Sequence, residues 1–355
     1  MSWILLLVYC GLFLFLIHKL DFFRLEGIPK WMTQSFFMAK ILAGIALWAV
    51  YTFYYPDRST ADIWKYFDDG KVMRDAARES PADFLKMLSG FGDGDPRIHA
   101  SYYSVMQHWD LAFDQDLPNE AHTLIRWNSL LHFISMGNYH IHSVFMCFLS
   151  FIGLCALYRT FYSAFQHHNK IAAAIIFLFP SLLFWSSGVL KEGLVVFALG
   201  FLLYNAFLFL SGKRIIHFAI VVIMLLLLFL TRFYVLFALI PALAGALWVH
   251  HNEKRAWLKF SIVLFACLAL GWAVKFIQPE YDLLRVIALK QNDFLRLARG
   301  GTVLFDDDTV AYVEPGFRDR VFERNGNWHI QENTPVTYYH IATDFKDTVR
   351  AYHKY

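Results

Sequence analysis

The apolar residues of this chain gather into stretches too long and too uninterrupted for the core of a soluble fold. Eight such segments occur, at 2–18, 36–55, 140–158, 171–188, 192–211, 215–231, 233–250 and 257–277. A bilayer core takes about 20 consecutive apolar residues as one helix. Inside it every backbone N–H and C=O must be paired within the segment, which favours helices over open strands. Composition agrees. Of 355 residues, 57% are hydrophobic and 17% charged, against roughly 45–50% and about 25% in soluble domains. The expected fold is an all-α polytopic membrane protein of about eight transmembrane helices, with a helical outer loop and a small extracytoplasmic C-terminal element. Met1 to Ile17 carries no basic start and no small-residue cleavage site, so it reads as a retained span and not a signal peptide.

Orientation follows from Lys and Arg in the short loops, which accumulate on the cytoplasmic side. One side collects Lys19, Arg24, Lys30, Lys40, Arg159, Lys170, Lys213, Arg214, Lys254, Arg255 and Lys259. The short loops of the other side hold only Lys191 and Arg232. Four regions result: two N-terminal spans (1–55), an extracytoplasmic loop with amphipathic helices (56–139), a six-helix membrane region (140–277) and an extracytoplasmic tail (278–355). The placement expected is a multi-pass one in a plasma membrane.

The net charge of +3 is small and no basic run points to nucleic acid. Cys10, Cys147, Cys155 and Cys267 all lie in apolar stretches and show no metal-ligand spacing, so neither a disulfide nor a zinc cage is expected. His140 and His142 are two apart, on different helix faces, which argues against a shared metal. No residue pattern names a cofactor.

The outer loop carries helix punctuation. Ser59 or Thr60 can cap a helix starting near Ala61. Ser80-Pro81-Ala82-Asp83 opens a second, with Phe84, Leu85 and Leu88 as an apolar stripe for the membrane interface, and Ser89-Gly90 stops it. Leu124, Trp127, Leu130, Leu131 and Ile134 have helical spacing and lead through Gly137-Asn138 into the third span. In the tail, Tyr281 to Arg299 reads as an interfacial helix, and Asn325-Gly326 as the turn of a small hairpin.

Three motifs bear chemistry. In Asp62-Ile63-Trp64-Lys65-Tyr66-Phe67-Asp68-Asp69-Gly70, residues Asp62, Tyr66 and Asp69 share one helical face. Carboxylates so near a membrane surface can do acid–base work; the plainer reading makes Asp62 a helix start and Asp68 and Asp69 a solvated face. Both Asp62 and Asp69 are expected to be solvent-accessible. In Pro180 to Gly193, Lys191 and Glu192 sit between two apolar helices with almost no loop to carry them into water. Charges at membrane depth are costly and usually functional; the plainer reading is a snorkelling Lys paired with its neighbour. Adjacent helix positions do not face each other, so Glu192 is a poor partner for Lys191 and a lipid phosphate a better one. In Thr231-Arg232-Phe233-Tyr234, the guanidinium fork suits phosphate oxygens; the plainer reading is an aromatic-flanked anchor. His108-Trp109-Asp110 is a weaker candidate for a base.

The layout resembles the GT-C superfamily of polytopic glycosyltransferases over about residues 36–260. The stretch Ala61 to Gly70 looks like the acidic segment soon after a membrane helix in those enzymes. Pro180 to Lys191 looks like a proline-then-basic segment of bacterial members. The extra span 2–18 and the lack of a recognisable acceptor domain depart from the pattern. The resemblance implies a polyprenyl-phosphate-linked sugar as donor and membrane lipid as partner, and it narrows the placement to the inner (plasma) membrane of a bacterium. Asp62 or Asp69, with Asp68 beside it, would supply the base. Lys191 and Arg232 would hold the lipid phosphate, with Tyr66 and Glu192 beside them. A non-enzymatic subunit of an envelope polysaccharide assembly or export complex is the second class. A transporter is the third, disfavoured by the lack of repeated halves.

Overall fold

The computed structural model describes residues 2–55, 58, 61–92, 94–109, 120–212, 214–251, 254–273, 276, 302–306, 309–313, 317, 320–324 and 327–340. Among them the helices are α1 (Ser2–Lys19), α2 (Lys30–Ala49, continued by a widened turn to Tyr54), α3 (Asp62–Glu79), α4 (Pro81–Ser89), α5 (Pro96–Ser101) and α6 (Ala121–Ser135). They continue with α7 (Tyr139–Phe161), α8 (Asn169–Leu178), α9 (Pro180–Trp185), α10 (Lys191–Gly212), α11 (Ile215–His251) and α12 (Ala256–Ala273). Six helices among the described residues are long and apolar enough to cross a membrane: α1, α2, α7, α10, the Ile215–Leu236 part of α11, and α12. The chain is a multi-pass, mostly helical membrane protein.

Two of the eight expected segments are not full-length spans. Segment 171–188 is split, because Phe179 leaves helical geometry at φ −57° and ψ 117°. The following Pro180 disfavours the helical region for the residue before it. The two pieces, α8 and α9, are each too short to cross alone. Segment 233–250 yields a short apolar helix, Ala238–Val249. Within α11 the backbone breaks at Arg232, φ −154° and ψ 75°, at the junction expected from the sequence. Lys40 needs correction. It lies inside α2 and is 1% exposed, not in a loop; the other basic residues of its group keep the charge bias.

The chain forms two compact units. In the first, Met1–Leu111 with Leu117–Phe237, α7 is the central strut. It runs parallel to α10, as shown by two contact levels: Met146 against Gly193, and Gly153 against Gly200. A Cβ added to Gly200 would lie 2.0 Å from the Gly153 carbonyl oxygen, and one added to Gly153 would lie 2.4 Å from the Val196 carbonyl oxygen. Small residues let membrane helices approach this closely. Gly153→Ala is therefore expected to lower stability by about 1–3 kcal/mol, read as a lower melting temperature in detergent.

The loop helices pack by ordinary local rules. Ser80 Oγ accepts the Asp83 N–H at 3.3 Å, Pro81 takes the first turn, and Gly90 ends α4 at φ 77°. The buried face of α4 is Asp83, Phe84 and Met87, while Leu85 is exposed. The expected stripe of Phe84, Leu85 and Leu88 is thus rotated, because α4 packs on α3. Arg97 grips Asp83 with two hydrogen bonds, 2.9 and 2.6 Å. The helix start after Ser59-Thr60 falls at Asp62; those two residues lie outside the described ones. Asn138 caps α7 by accepting the His140 N–H at 2.9 Å.

The second unit, Ala112–Asp116 with Ala238–Tyr355, adds strands to an otherwise helical chain. Strands β1 (Thr302–Asp306), β2 (Thr309–Val313) and β5 (Val336–His340) form an antiparallel sheet in the order β1-β2-β5. Strands β3 (Val321–Arg324) and β4 (Asn327–Ile330) pair with Arg324 opposite Asn327. That register matches a hairpin around Asn325-Gly326, although the two turn residues, like the expected helix at 281–299, lie outside the described residues. The chain is mostly helical, as expected, and these short strands are a small addition in its C-terminal part.

Candidate functional site

Four charged side chains meet where helices begin or break. The residues from Ser186 to Leu190 are not helical, so α10 opens on Lys191 and Glu192. Lys191 Nζ lies 3.5 Å from Glu120 Oε2. Arg232, at the break in α11, donates from Nη1 to the same oxygen at 3.2 Å and from Nη2 to Glu192 Oε1 at 2.9 Å. The Lys191 ammonium stands 5.9 Å from the centre of the Tyr66 ring, and Arg232 stands 5.6 Å from that of Tyr234.

The contact of Met146 with Gly193 fixes the level of this group along α7. It places Lys191 about five residues, roughly 8 Å at 1.5 Å per residue, inside the start of α7. At that depth an unpaired charge costs a few kcal/mol, so mutual pairing is the physical condition for the cluster. Tyr66 is buried beside it. Burial first, then the Asp62 carboxylate, push the Tyr66 hydroxyl well above its ordinary pKa; Glu192 and Glu120 add to this and Arg232 opposes it. Asp62, itself half-buried at the start of α3, therefore belongs to the electrostatic neighbourhood of the cluster.

Of the residues singled out in the sequence, Lys191, Arg232, Glu192 and Tyr66 are brought together, with Asp62 in their electrostatic neighbourhood. Asp68 and Asp69 point elsewhere. Asp68 takes a two-pronged bond from Arg58, at 2.9 and 2.7 Å, while the guanidinium covers the Trp64 ring at 3.9 Å. Asp69 was expected to be accessible but is 1% exposed. Its two oxygens accept the backbone N–H groups of Gln107 and His108, each at 2.8 Å. Asp69 anchors a loop. That loop sets the His108 ring edge-on to Tyr66, centroids 5.1 Å apart, and burial pulls His108 down to about 3. The ring is neutral near pH 7.

Burial pushes the Asp69 carboxyl up to about 6, against the pull of its two amide donors. A raised carboxyl pKa adds stability below the unfolded value of about 3.9, and that contribution is lost as pH rises through 6. Asn cannot ionise. The melting temperature of Asp69→Asn relative to wild type should therefore rise between pH 4 and 6, by the equivalent of about 2–3 kcal/mol, and level off above 7. A relative melting temperature that falls across that window would show that the amide donors outweigh burial.

Glu120 is the residue that sequence reasoning missed. It directly precedes α6, where an acid looks like routine support for a helix dipole. Its Oε2 binds both cations, while its Oε1 is buried without a hydrogen-bond partner. Lys191 is consequently not awaiting an external anion as its only partner; Glu120 neutralises it from across the fold. No group of three or more metal-ligating side chains occurs among the described residues. His142 is held by Asn128 and Ser135 at 2.7 and 2.8 Å, and His132 by the Phe67 carbonyl at 2.8 Å. Comparison with family models, with curated proteins and with solved structures finds no match to this chain.

Proposed function

We propose that this protein is a GT-C-like membrane glycosyltransferase. It moves a sugar from a polyprenyl-phosphate donor to an envelope acceptor at the outer face of the bacterial inner membrane. The helices α3–α6 and the C-terminal strands lie on that face in this reading. One observation carries it: two cations and three carboxylates converge around Tyr66, at helix breaks roughly 8 Å inside the start of α7. In this reading the cluster lies within reach of a lipid phosphate, with a base and a phosphate clamp in one place. Asp62 removes the proton from the acceptor hydroxyl. The acceptor oxygen attacks the anomeric carbon, and the lipid phosphate departs with the bonding pair, its charge met by Lys191 and Arg232. Glu192, the more exposed acid at 38% against 9% for Glu120, is the ligand that phosphate displaces from Arg232.

A specific observation favours the second class, a non-enzymatic subunit of an envelope assembly. The two cations already face two carboxylates of this same chain, which is what a purely structural cluster needs. Binding of polyprenyl-phosphate sugars to the purified protein separates the two. Lys191→Ala should weaken donor binding about 10–100-fold, the worth of one charge-assisted contact, and Lys191→Arg should restore part of it. Absence of binding to every polyprenyl-phosphate donor tried would leave the second class.

The side of the membrane is tested separately. In a background with the four native cysteines replaced by serine, Ser89→Cys should react with an impermeant thiol reagent in spheroplasts and Ser211→Cys should not. Both positions are exposed. Labelling of the Ser211 variant alone would invert the orientation.

A further inference from the structure

Lys40 is the most buried cation among the described residues of the first unit. It stands in the body of the span Lys30–Tyr54, and its side chain is fully buried. Its ammonium donates to Ser186 O at 3.2 Å, Ser186 Oγ at 2.6 Å and Ser187 Oγ at 3.2 Å. All three acceptors are neutral, and no carboxylate pairs with Lys40 among the described residues. The acceptors come from the residues where α9 ends and the chain leaves helical geometry before α10. Both hydroxyls are oriented for the task. Ser186 Oγ donates to Leu182 O, and Ser187 Oγ donates to Leu183 O at 2.5 Å. Their lone pairs are left facing the ammonium.

Carbonyls of this segment are also met from α7. Ser150 donates to Ser186 O at 2.8 Å. Ser143 and Cys147 donate to Ser187 O at 3.0 and 3.1 Å. The site is also sterically closed. A Cβ on Gly44 would lie 2.4 Å from Ser187 O, and one on Gly188 would lie 2.2 Å from the Leu47 side chain. Breaking a helix inside a bilayer frees backbone groups that water cannot satisfy. In broken membrane helices, unwound carbonyls and helix C-terminal ends are what coordinate small monovalent cations.

We propose that the end of α9 is a cation site whose resident ion is the Lys40 ammonium, tethered from α2. By filling it, Lys40 holds Ser186 and Ser187 and so fixes the start of α10, with Lys191 and Glu192, in position. It is a positioning residue, and the inference does not depend on what reaction the protein performs.

The test uses the full-length protein in detergent, with Cys147 as reporter because its thiol is bonded to the clamped segment. In Lys40→Ala, alkylation of Cys147 by a small thiol reagent, read by peptide mass, should run at least about tenfold faster than in wild type, as expected for loss of a buried charge-assisted donor. Methylammonium should slow it back toward the wild-type rate. Tetramethylammonium, equally charged but without N–H donors, should not. Lys40→Met, which fills the volume without charge, should stay fast. Protection of Cys147 in Lys40→Met equal to wild type, or no response of Lys40→Ala to methylammonium, overturns the proposal. Should Lys40→Ala not fold, Ser187→Ala carries the test, since it keeps the ammonium and removes one acceptor. Severalfold faster alkylation supports the clamp, and an unchanged rate overturns it.

Discussion

Arg232→Ala is expected to destabilise the folded protein by about 3–5 kcal/mol, the usual cost of removing one partner from a buried ion pair. Among the described residues, the guanidinium is the only group that bonds both Glu120 and Glu192. Without it Glu120, already carrying one buried oxygen without a partner, keeps only the longer 3.5 Å approach of Lys191. The loss arises from the stranded acid and not from the missing cation. Adding Glu120→Gln to Arg232→Ala should therefore recover at least half of the lost stability, whereas Glu120→Gln alone should be destabilising. Thermal unfolding of the four proteins in one detergent completes the cycle. Strictly additive effects would show that Arg232 and Glu120 do not act as a pair.

The second large effect is on chemistry. Under the proposed transferase reading, Asp62→Asn should lower sugar transfer by roughly 10²–10⁴-fold, the range for loss of a general base, and leave melting temperature and donor binding near wild type. The stability half follows from position. Asp62 is half-buried at the first turn of α3, where the similarly shaped Asn fits the same space. The activity half follows from elimination among the three acids of the motif. Asp68 is occupied by Arg58 and Asp69 by two backbone amides, which leaves Asp62 beside the cations. Full transfer activity in Asp62→Asn would return the base to another group. Loss of donor binding in the same variant would make Asp62 part of the phosphate site instead.

The breaks at Lys191 and Arg232 were legible in the sequence because hydropathy alone marks where an apolar run is interrupted by a cation. Glu120 was not legible. Its partners lie far along the chain, and its local setting before an amphipathic helix looks complete. Lys40 was misplaced for a related reason. A lysine within an apolar run resembles a segment boundary unless the acceptors that satisfy it, Ser186 and Ser187, are known to come from a broken helix. Helical spacing puts Asp69 on one side of α3 with Asp62 and Tyr66, since i, i+4 and i+7 share a side. What that face packs against could not be read, and a loop at Gln107–His108 claimed the carboxylate. The strands of the tail were visible only as a turn signal, because short alternating runs give weak periodicity.

The segment from Ser186 to Lys191 is pinned at both ends, to α2 and α7 at its start and to Glu120 at its finish. Its length is therefore a constraint separate from its chemistry. One residue inserted between Gly188 and Leu190 would turn all of α10 by about 100° and advance it about 1.5 Å. Lys191 would swing off Glu120, and the glycine face of α10 would swing off Gly153. Lineages of this protein would then keep the number of residues in this segment as strictly as the small size of Gly188, which the Leu47 side chain enforces.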